Sequence, residues 1–210
     1  MKKILALVGD FYHPADYLSE ALQNTLGDKY SLSIKDNHQD IPWNELNSYD
    51  VFILAASGKM NPQESDEVWI TAREEELIEK FVASGGKLLV LHCGLADYST
   101  EGILRKVVKG HFIEHPVEHP EIMVKPVDNR LLLAEGIEEF KIVDELYFVD
   151  VDEEDTTIFL EAVSEEYGNA IAGWAHQYGQ GKVYCLTPGH TLEVLKEEMM
   201  AKLIIKGVEW

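Results

Sequence analysis

Phe81-Val82-Ala83-Ser84-Gly85-Gly86-Lys87-Leu88-Leu89-Val90-Leu91-His92-Cys93-Gly94 reads as the end of a helix, a glycine stop, a strand and a sharp turn. Just upstream, Thr71 and Glu74 have the spacing of a capping box, and Leu77, Ile78, Phe81 and Val82 fall on one helical face. Gly85-Gly86 ends that helix, because glycine adopts the left-handed conformation of a helix stop without strain. Lys87 to Leu91 then runs apolar without alternation, the pattern of a strand covered on both faces in a parallel sheet. In open α/β sheets chemistry sits beyond the carboxyl ends of strands. His92-Cys93-Gly94 therefore falls where a strand-to-loop elbow presents one side chain at the sheet's top.

The same alternation extends outward from this unit. Lys3 to Val8, Tyr30 to Ile34 and Val51 to Ala56 read as strands, and Ala15 to Leu26 as a helix with Leu18, Leu22 and Leu26 on one face. Beyond the elbow the pattern is less regular. Val117 to Val127 reads as extended, and Thr157 to Val163, Ala170 to His176 and Lys182 to Leu186 as strands, the last preceded by the turn Tyr178-Gly179-Gln180-Gly181. The tail from Leu192 to Trp210 is helical, with Leu195, Met199 and Leu203 in one row and Met200, Ile204 and Val208 in the next. No repeat or linker interrupts the chain. This order predicts one α/β domain over residues 1–210, a three-layer, doubly wound, mostly parallel sheet of the flavodoxin-like kind with antiparallel additions in the second half.

Composition narrows the partners. A net charge of −20 repels nucleic acid and anionic membrane surfaces, whose binding needs Lys and Arg against phosphates. It is compatible with a neutral small molecule or a cation. The apolar run Ile4 to Val8 ends at Gly9-Asp10, too short for the roughly 7–15 apolar residues of a secretion signal, and no run approaches the roughly 18 of a membrane helix. Cys93 and Cys185 lie inside apolar, strand-like runs, which predicts reduced thiols and a cytoplasmic location. Homo-oligomerisation is left open.

His13 follows the first strand, His92 the elbow strand, and His190 the last strand, all at one edge if the strands are parallel. Two or three neutral imidazoles with a carboxylate suit a divalent cation such as zinc, and equally suit acid–base catalysis. The plain alternative is a set of unrelated loop histidines, since the chain has 8. His111, His115 and His119 are spaced by four, but Pro116 and Pro120 disfavour helix just before them. If extended, residues four apart lie roughly 13 Å from one another, so at most one, His115, is expected at the site. The acidic run Asp152 to Asp155 lacks calcium-loop spacing, and Leu7-Val8-Gly9-Asp10 is no phosphate loop. Nothing basic near Cys93 in sequence would lower its pKa, which argues against a nucleophilic thiol.

The helix, double glycine, strand and histidine ending at His92 resemble the signature of the ThuA-like (trehalose utilisation) family. Further similar segments follow in order: Gly110-His111-Phe112 with His115-Pro116, Asp144-Glu145-Leu146-Tyr147, Trp174, Gly179 to Lys182, and Gly189-His190-Thr191. That family is similar in fold to class I glutamine amidotransferases, whose elbow carries a nucleophilic Cys. The resemblance puts His92 at that position and His190 near the catalytic histidine. It also puts Leu192 where a glutamate would stand, which implies no glutaminase activity. It implies an enzyme of sugar metabolism, trehalose-type or other carbohydrate, working by hydrolysis or proton transfer on a small sugar-like ligand. His92, His190 and Glu145 would be catalytic. His13, His115 and Tyr147 would contact substrate, and His13, His92 and His190 would hold any divalent metal. Trp174 or Tyr147 would supply a stacking ring, with a core position favoured for Trp174. Two alternatives stay open: a non-catalytic sugar-binding or regulatory module on the same fold, and a cysteine hydrolase using Cys93.

Overall fold

The computed structural model describes residues 1–127 and 132–210. Five parallel strands form one half of a nine-stranded sheet: β1 (Lys3–Val8), β2 (Ser31–Lys35), β3 (Val51–Ala55), β4 (Lys87–Leu91) and, late in the chain, β11 (Gly181–Leu186). Their order, β2-β1-β3-β4-β11, is that of a flavodoxin-like sheet, in which β1 and β3 flank the point where the winding reverses. The predicted antiparallel additions complete it: β10 (Gly168–Tyr178), β9 (Thr157–Ser164), β6 (Glu121–Pro126) and β7 (Phe140–Val143) follow outward from β11. β5 (Gly110–Glu114) and β8 (Phe148–Val151) make a separate antiparallel pair.

Alternation along the parallel strands divides the core. Ile4, Ala6 and Val8 point to one face, where they meet α1 (Ala15–Leu26) through Leu18 and Leu22, and α5 (Glu198–Glu209) through Leu203 and Ile204. Leu5 and Leu7 point to the other, toward α2 (Ala72–Ala83) through Ile78 and Phe81, and α3 (Ile103–Val108) through Leu104 and Val107. Both faces being covered explains the unbroken apolar strands.

Several expectations need correction. The capping box at Thr71 and Glu74 forms, but Leu77 is only half-buried. Glu75 is buried instead, because its carboxylate accepts the Ile103 N–H at 2.9 Å and caps α3. The terminal helix is two: α4 (Leu192–Leu195) stops at Lys196, and the Glu197 side chain caps α5 by accepting from the Met199 and Met200 N–H groups. The extended reading from Val117 is right only from Glu121, since the chain bends at Val117 and Glu118.

Candidate active site

Three strand ends and one loop converge. After β1, Gly9 takes φ 90°, and a Cβ there would lie 2.5 Å from the Ala15 side chain, so the tight entry to α1 needs glycine. Asp10 then folds the loop on itself. Its carboxylate accepts the Tyr12 N–H at 2.9 Å, the His13 N–H at 3.0 Å and the Ser57 N–H at 2.9 Å. The same carboxylate holds His13 Nδ1 at 2.7 Å. Burial raises the Asp10 carboxyl pKa, but these bonds outweigh it and hold the group down at about 2. An ionised Asp10 makes Nδ1 the protonated nitrogen of His13 and turns the Nε2 lone pair outward. Burial, reinforced by His92 and His190 against the pull of Asp10, lowers the His13 pKa and keeps the ring neutral.

The elbow itself is strained. His92 sits at φ 41°, uncommon for a residue with a side chain, and begins a short 3-10 turn to Leu95. Gly94 permits it: a Cβ there would lie 2.2 Å from the Leu54 carbonyl oxygen. His92 Nδ1 donates to the Thr187 carbonyl at 2.6 Å, leaving Nε2 with its lone pair. That buried Nε2 has no hydrogen-bond partner and stands 3.2 Å from Glu145 Oε2.

The Asp144-Glu145-Leu146-Tyr147 segment, which shows no periodicity in sequence, serves three purposes. Asp144 is fully buried and clamps the loop after β11, accepting the Gly189 N–H at 2.7 Å and the His190 N–H at 3.1 Å. Glu145 points into the centre, where His190 Nδ1 lies 3.2 Å from Oε2. Burial opposes ionisation of Glu145, but the neighbouring His190 and His92 imidazoles prevail and push its pKa below the usual carboxylate range. The Glu145 carboxylate in turn raises the His190 pKa against burial. Tyr147 lies under His92, ring centroids 4.2 Å apart, and packs against Phe112 and His115 as well. At 3% exposure it is a support and not an open platform for a sugar ring. Trp174 is in the core, with Nε1 donating to the Val108 carbonyl at 2.9 Å.

One ligand atom each from His13, His92, Glu145 and His190 all lie within 4.8 Å of one another. His13 Nε2 and His190 Nδ1 are 3.1 Å apart. The 3.1 Å between His13 and His190 and the 3.2 Å from each of His92 and His190 to Glu145 are close to the roughly 3.3 Å between two ligand atoms of a tetrahedral site with bonds of about 2.0–2.1 Å, and the remaining pairs lie within 4.8 Å. His13 Nε2 faces His190 Nδ1, whereas His92 Nε2 faces the Glu145 carboxylate with no hydrogen-bond partner, a contact that needs a shared proton or a cation. The donor set therefore fits a divalent metal. Asp10 on His13, and the Thr187 carbonyl on His92, are partners of the kind that orient the imidazoles of metal sites.

The histidines of the 111–119 segment divide differently from expectation. His111 is outside the centre, accepting from Arg105 Nε at 3.0 Å. His115 Nε2 and His119 Nε2 both approach Glu145 Oε1, at 3.5 and 3.6 Å. The bend at Val117 and Glu118 shortens the span that an extended chain would impose, so two of the three reach the site where one was expected. They form its open rim. Cys93, one residue past the elbow, is fully buried, and burial with the neighbouring Asp10 carboxylate raises its thiol pKa well above the usual value. Asp10 and His119 are the site residues that the sequence reading missed. Asp10 had a local signal, an aspartate in the loop directly after a first parallel strand, whereas His119 depended on an unforeseen bend.

An elbow histidine on a flavodoxin-like sheet, ringed by imidazoles and a carboxylate, defines a doubly wound α/β protein with a histidine-rich centre at the carboxyl edge of its strands. The ThuA family model, described as trehalose utilisation, matches residues 5–210, and the chain belongs to that family. A protein of Parabacteroides merdae ATCC 43184 described as ThuA-like superposes with a TM-score of 0.77 at 14% identity, covering 100% of this chain and 89% of that one. A cytoplasmic protein of Salmonella typhimurium LT2 gives 0.74 at 16%, covering 99% and 98%. A β-galactosidase from Rahnella sp. R3 gives 0.66 at 15%, covering 98% of this chain but 31% of that one, so the likeness is to part of the enzyme. At these identities the likeness shows the fold. No curated protein matches the sequence. Among the described residues no helix is long and apolar enough to cross a membrane.

Proposed function

We propose that the chain is a metal-dependent enzyme of carbohydrate metabolism, acting by hydrolysis or proton transfer on a sugar-like substrate and lacking glutaminase activity. The observation that carries this reading is the convergence of His13 Nε2, His92 Nε2, His190 Nδ1 and Glu145, with a buried imidazole nitrogen that has no other partner. His13, His92 and His190 would hold a divalent cation such as zinc, with Glu145 as fourth ligand. When bound, the cation supplies Lewis acidity at a sugar oxygen and acidifies a coordinated water. Glu145 fixes the orientation of the inner imidazoles through Oε2 and meets the outer pair through Oε1. His115 and His119, half-exposed at the mouth, are placed to bind substrate hydroxyls and to move protons between the centre and solvent. A thiol as buried as Cys93 supports the absence of cysteine chemistry. The family description supports the substrate class, and two buried, unbridged cysteines support a reducing, cytoplasmic setting.

The test is metal content and turnover on the purified chain. Stoichiometric zinc, with hydrolysis of a disaccharide or glycoside that chelation abolishes and zinc restores, supports the reading. A protein that takes up no divalent metal and turns over its sugars unchanged after chelation overturns it. Sugar binding without turnover would instead identify a non-catalytic sugar-binding module.

A further inference from the structure

Both oxygens of the Glu145 carboxylate face imidazole nitrogens. Oε2 lies 3.2 Å from His92 Nε2 and 3.2 Å from His190 Nδ1, inside the centre. Oε1 lies 3.5 Å from His115 Nε2 and 3.6 Å from His119 Nε2, whose side chains are 30% and 36% exposed at the mouth.

The two sides repeat one feature. His92 Nδ1 is 2.6 Å from the Thr187 carbonyl oxygen, and His115 Nδ1 is 2.6 Å from that of Pro116. A carbonyl oxygen only accepts, so in each ring Nδ1 carries a proton. A ring with no second proton then turns an Nε2 lone pair toward a Glu145 oxygen, His92 toward Oε2 and His115 toward Oε1. A cation between nitrogen and oxygen relieves either contact. An ion held by Oε2 among the inner imidazoles leaves Oε1 and the rim imidazoles as they were.

Coordination number points the same way. His13, His92, His190 and Glu145 Oε2 fill a tetrahedral ion, which takes a water only by adding a fifth position. Catalytic zinc sites use three protein ligands and keep a position open, and two histidines with one glutamate are among the sets that do so. His115, His119 and Oε1 are such a set, on the solvent side. Each rim nitrogen stands from Oε1 at a distance close to the roughly 3.3 Å between ligand atoms of tetrahedral zinc. As half-exposed side chains, both imidazoles can draw in around an ion.

We infer that Glu145 is a bridging carboxylate and that a second divalent cation binds at the mouth, held by Oε1, His115 and His119 with water in its open position. Paired ions in hydrolytic two-metal sites lie about 3.5–4 Å apart and clamp the attacking and leaving oxygens between them. The outer ion, more than the rim imidazoles themselves, is then what a substrate oxygen meets. The inference rests on the proposed inner centre, since a bridge needs an ion at each end.

The experiment strips the full chain of metal with a chelator, titrates it with zinc by calorimetry and counts bound ions by elemental mass spectrometry. Manganese(II) serves in parallel as a paramagnetic probe. The variant is His115→Ala with His119→Ala, at half-exposed positions, and His111→Ala, outside the centre, is the control. Circular dichroism confirms that each protein is folded. Wild type and His111→Ala should bind two zinc ions per chain in two steps, the second weaker. The double variant should bind one, with the affinity of the first step kept within about threefold. Manganese at two equivalents should give an exchange-coupled spectrum in wild type and the spectrum of an isolated ion in the double variant. One zinc in wild type, held equally well by the double variant, overturns the outer ion and leaves the inner centre standing. So do two zinc ions in both proteins, which would put the second ion elsewhere on the acidic surface. Two ions without manganese coupling overturn the bridge. No uptake at all, or a single ion that is lost with the rim pair, overturns the inner centre and the bridge together.

Discussion

His92 Nε2 faces Glu145 Oε2 across 3.2 Å while its own Nδ1–H is committed to the Thr187 carbonyl. The pair is buried, and with Nδ1–H so committed, an Nε2 that carries no proton would present a lone pair to a carboxylate that has no proton to donate. Such an arrangement is repulsive unless a proton or a cation lies between the two atoms. Strain in the backbone points the same way: a φ of 41° at a non-glycine residue costs on the order of 1–3 kcal/mol and is held in place by the surrounding fold.

His92→Ala removes the repulsion but keeps a Cβ and so keeps the backbone strain, and its effect on the metal-free melting temperature should be small, with a slight rise expected where cavity formation does not cancel the relief. Metal response should vanish. A ligand at about 100 times its Kd stabilises by about 2.7 kcal/mol, and for a chain of this size each kcal/mol shifts Tm by about 2–4 °C. Wild type should thus melt roughly 5–10 °C higher with saturating zinc. His92→Ala should show no shift, and His111→Ala, outside the centre, should keep it. A His92→Ala protein that melts much earlier yet retains the zinc shift would make His92 a packing residue.

Asp10 acts one step removed. It touches none of the other centre residues' ligand atoms, but fixes the tautomer of His13 through Nδ1. Asp10→Asn removes the charge and keeps one acceptor oxygen, enough for the Tyr12 and His13 amides but not also for the Ser57 amide, which bonds to the other carboxylate oxygen, and it weakens the grip on the imidazole. Zinc affinity should fall by about 10–100-fold, the usual cost of losing an outer-shell carboxylate, with the fold retained by circular dichroism. Unchanged affinity would show that His13 is oriented by packing alone.

The parallel half of the fold was legible because its strands are buried on both faces: β4 reads as five apolar-to-mixed residues bounded by a glycine pair and a histidine, and needs no partner to be recognised. β7 and β8 are four-residue strands, and β5 and β8 pair only with each other across a long sequence separation, so neither composition nor period marks them. Glu145 follows from that difficulty. Its place in the centre is fixed by Asp144 clamping the loop after β11, a contact 45 residues away in sequence. His13, His92 and His190 were visible because each directly follows a strand of the parallel half, where topology alone determines the edge. His119 was not, since a bend at Val117 and Glu118 brings it inward.

Both cysteines should be inert in the native state. Cys93 and Cys185 are fully buried, and burial raises both thiol pKa values well above normal. Iodoacetamide at mildly alkaline pH should label neither until the chain is unfolded, and Cys93→Ser should leave zinc uptake unchanged within about threefold, since the Sγ atom is placed beside Asp10 and not in the inner set. Rapid native labelling of Cys93, or ammonia release from glutamine that Cys93→Ser abolishes, would establish the thiol as the nucleophile.

His176 gives the fold a pH limit unrelated to the candidate site. It lies on β10, buried, with Nε2 donating to the Val107 carbonyl at 2.8 Å and Nδ1 unpaired. Burial lowers its pKa to about 4 from 6.5, with the Val107 bond opposing only in part. The unfolded chain therefore binds a proton at this residue that the folded chain excludes, at every pH between those two values. Stability contributed by the neutral ring is complete above about 6.5 and is lost as pH falls toward 4, amounting to about 3 kcal/mol at most. Urea unfolding of the metal-free protein at pH 7.5, 6, 5 and 4.5 should show this loss as a falling midpoint at constant m-value. His176→Gln retains an N–H for the Val107 carbonyl but has nothing to protonate. Its curve should lie below wild type at pH 7.5 from imperfect packing and converge on it toward pH 4.5. Parallel curves for the two proteins across that range would show that the ring stays neutral for reasons other than burial, or is protonated in place without cost.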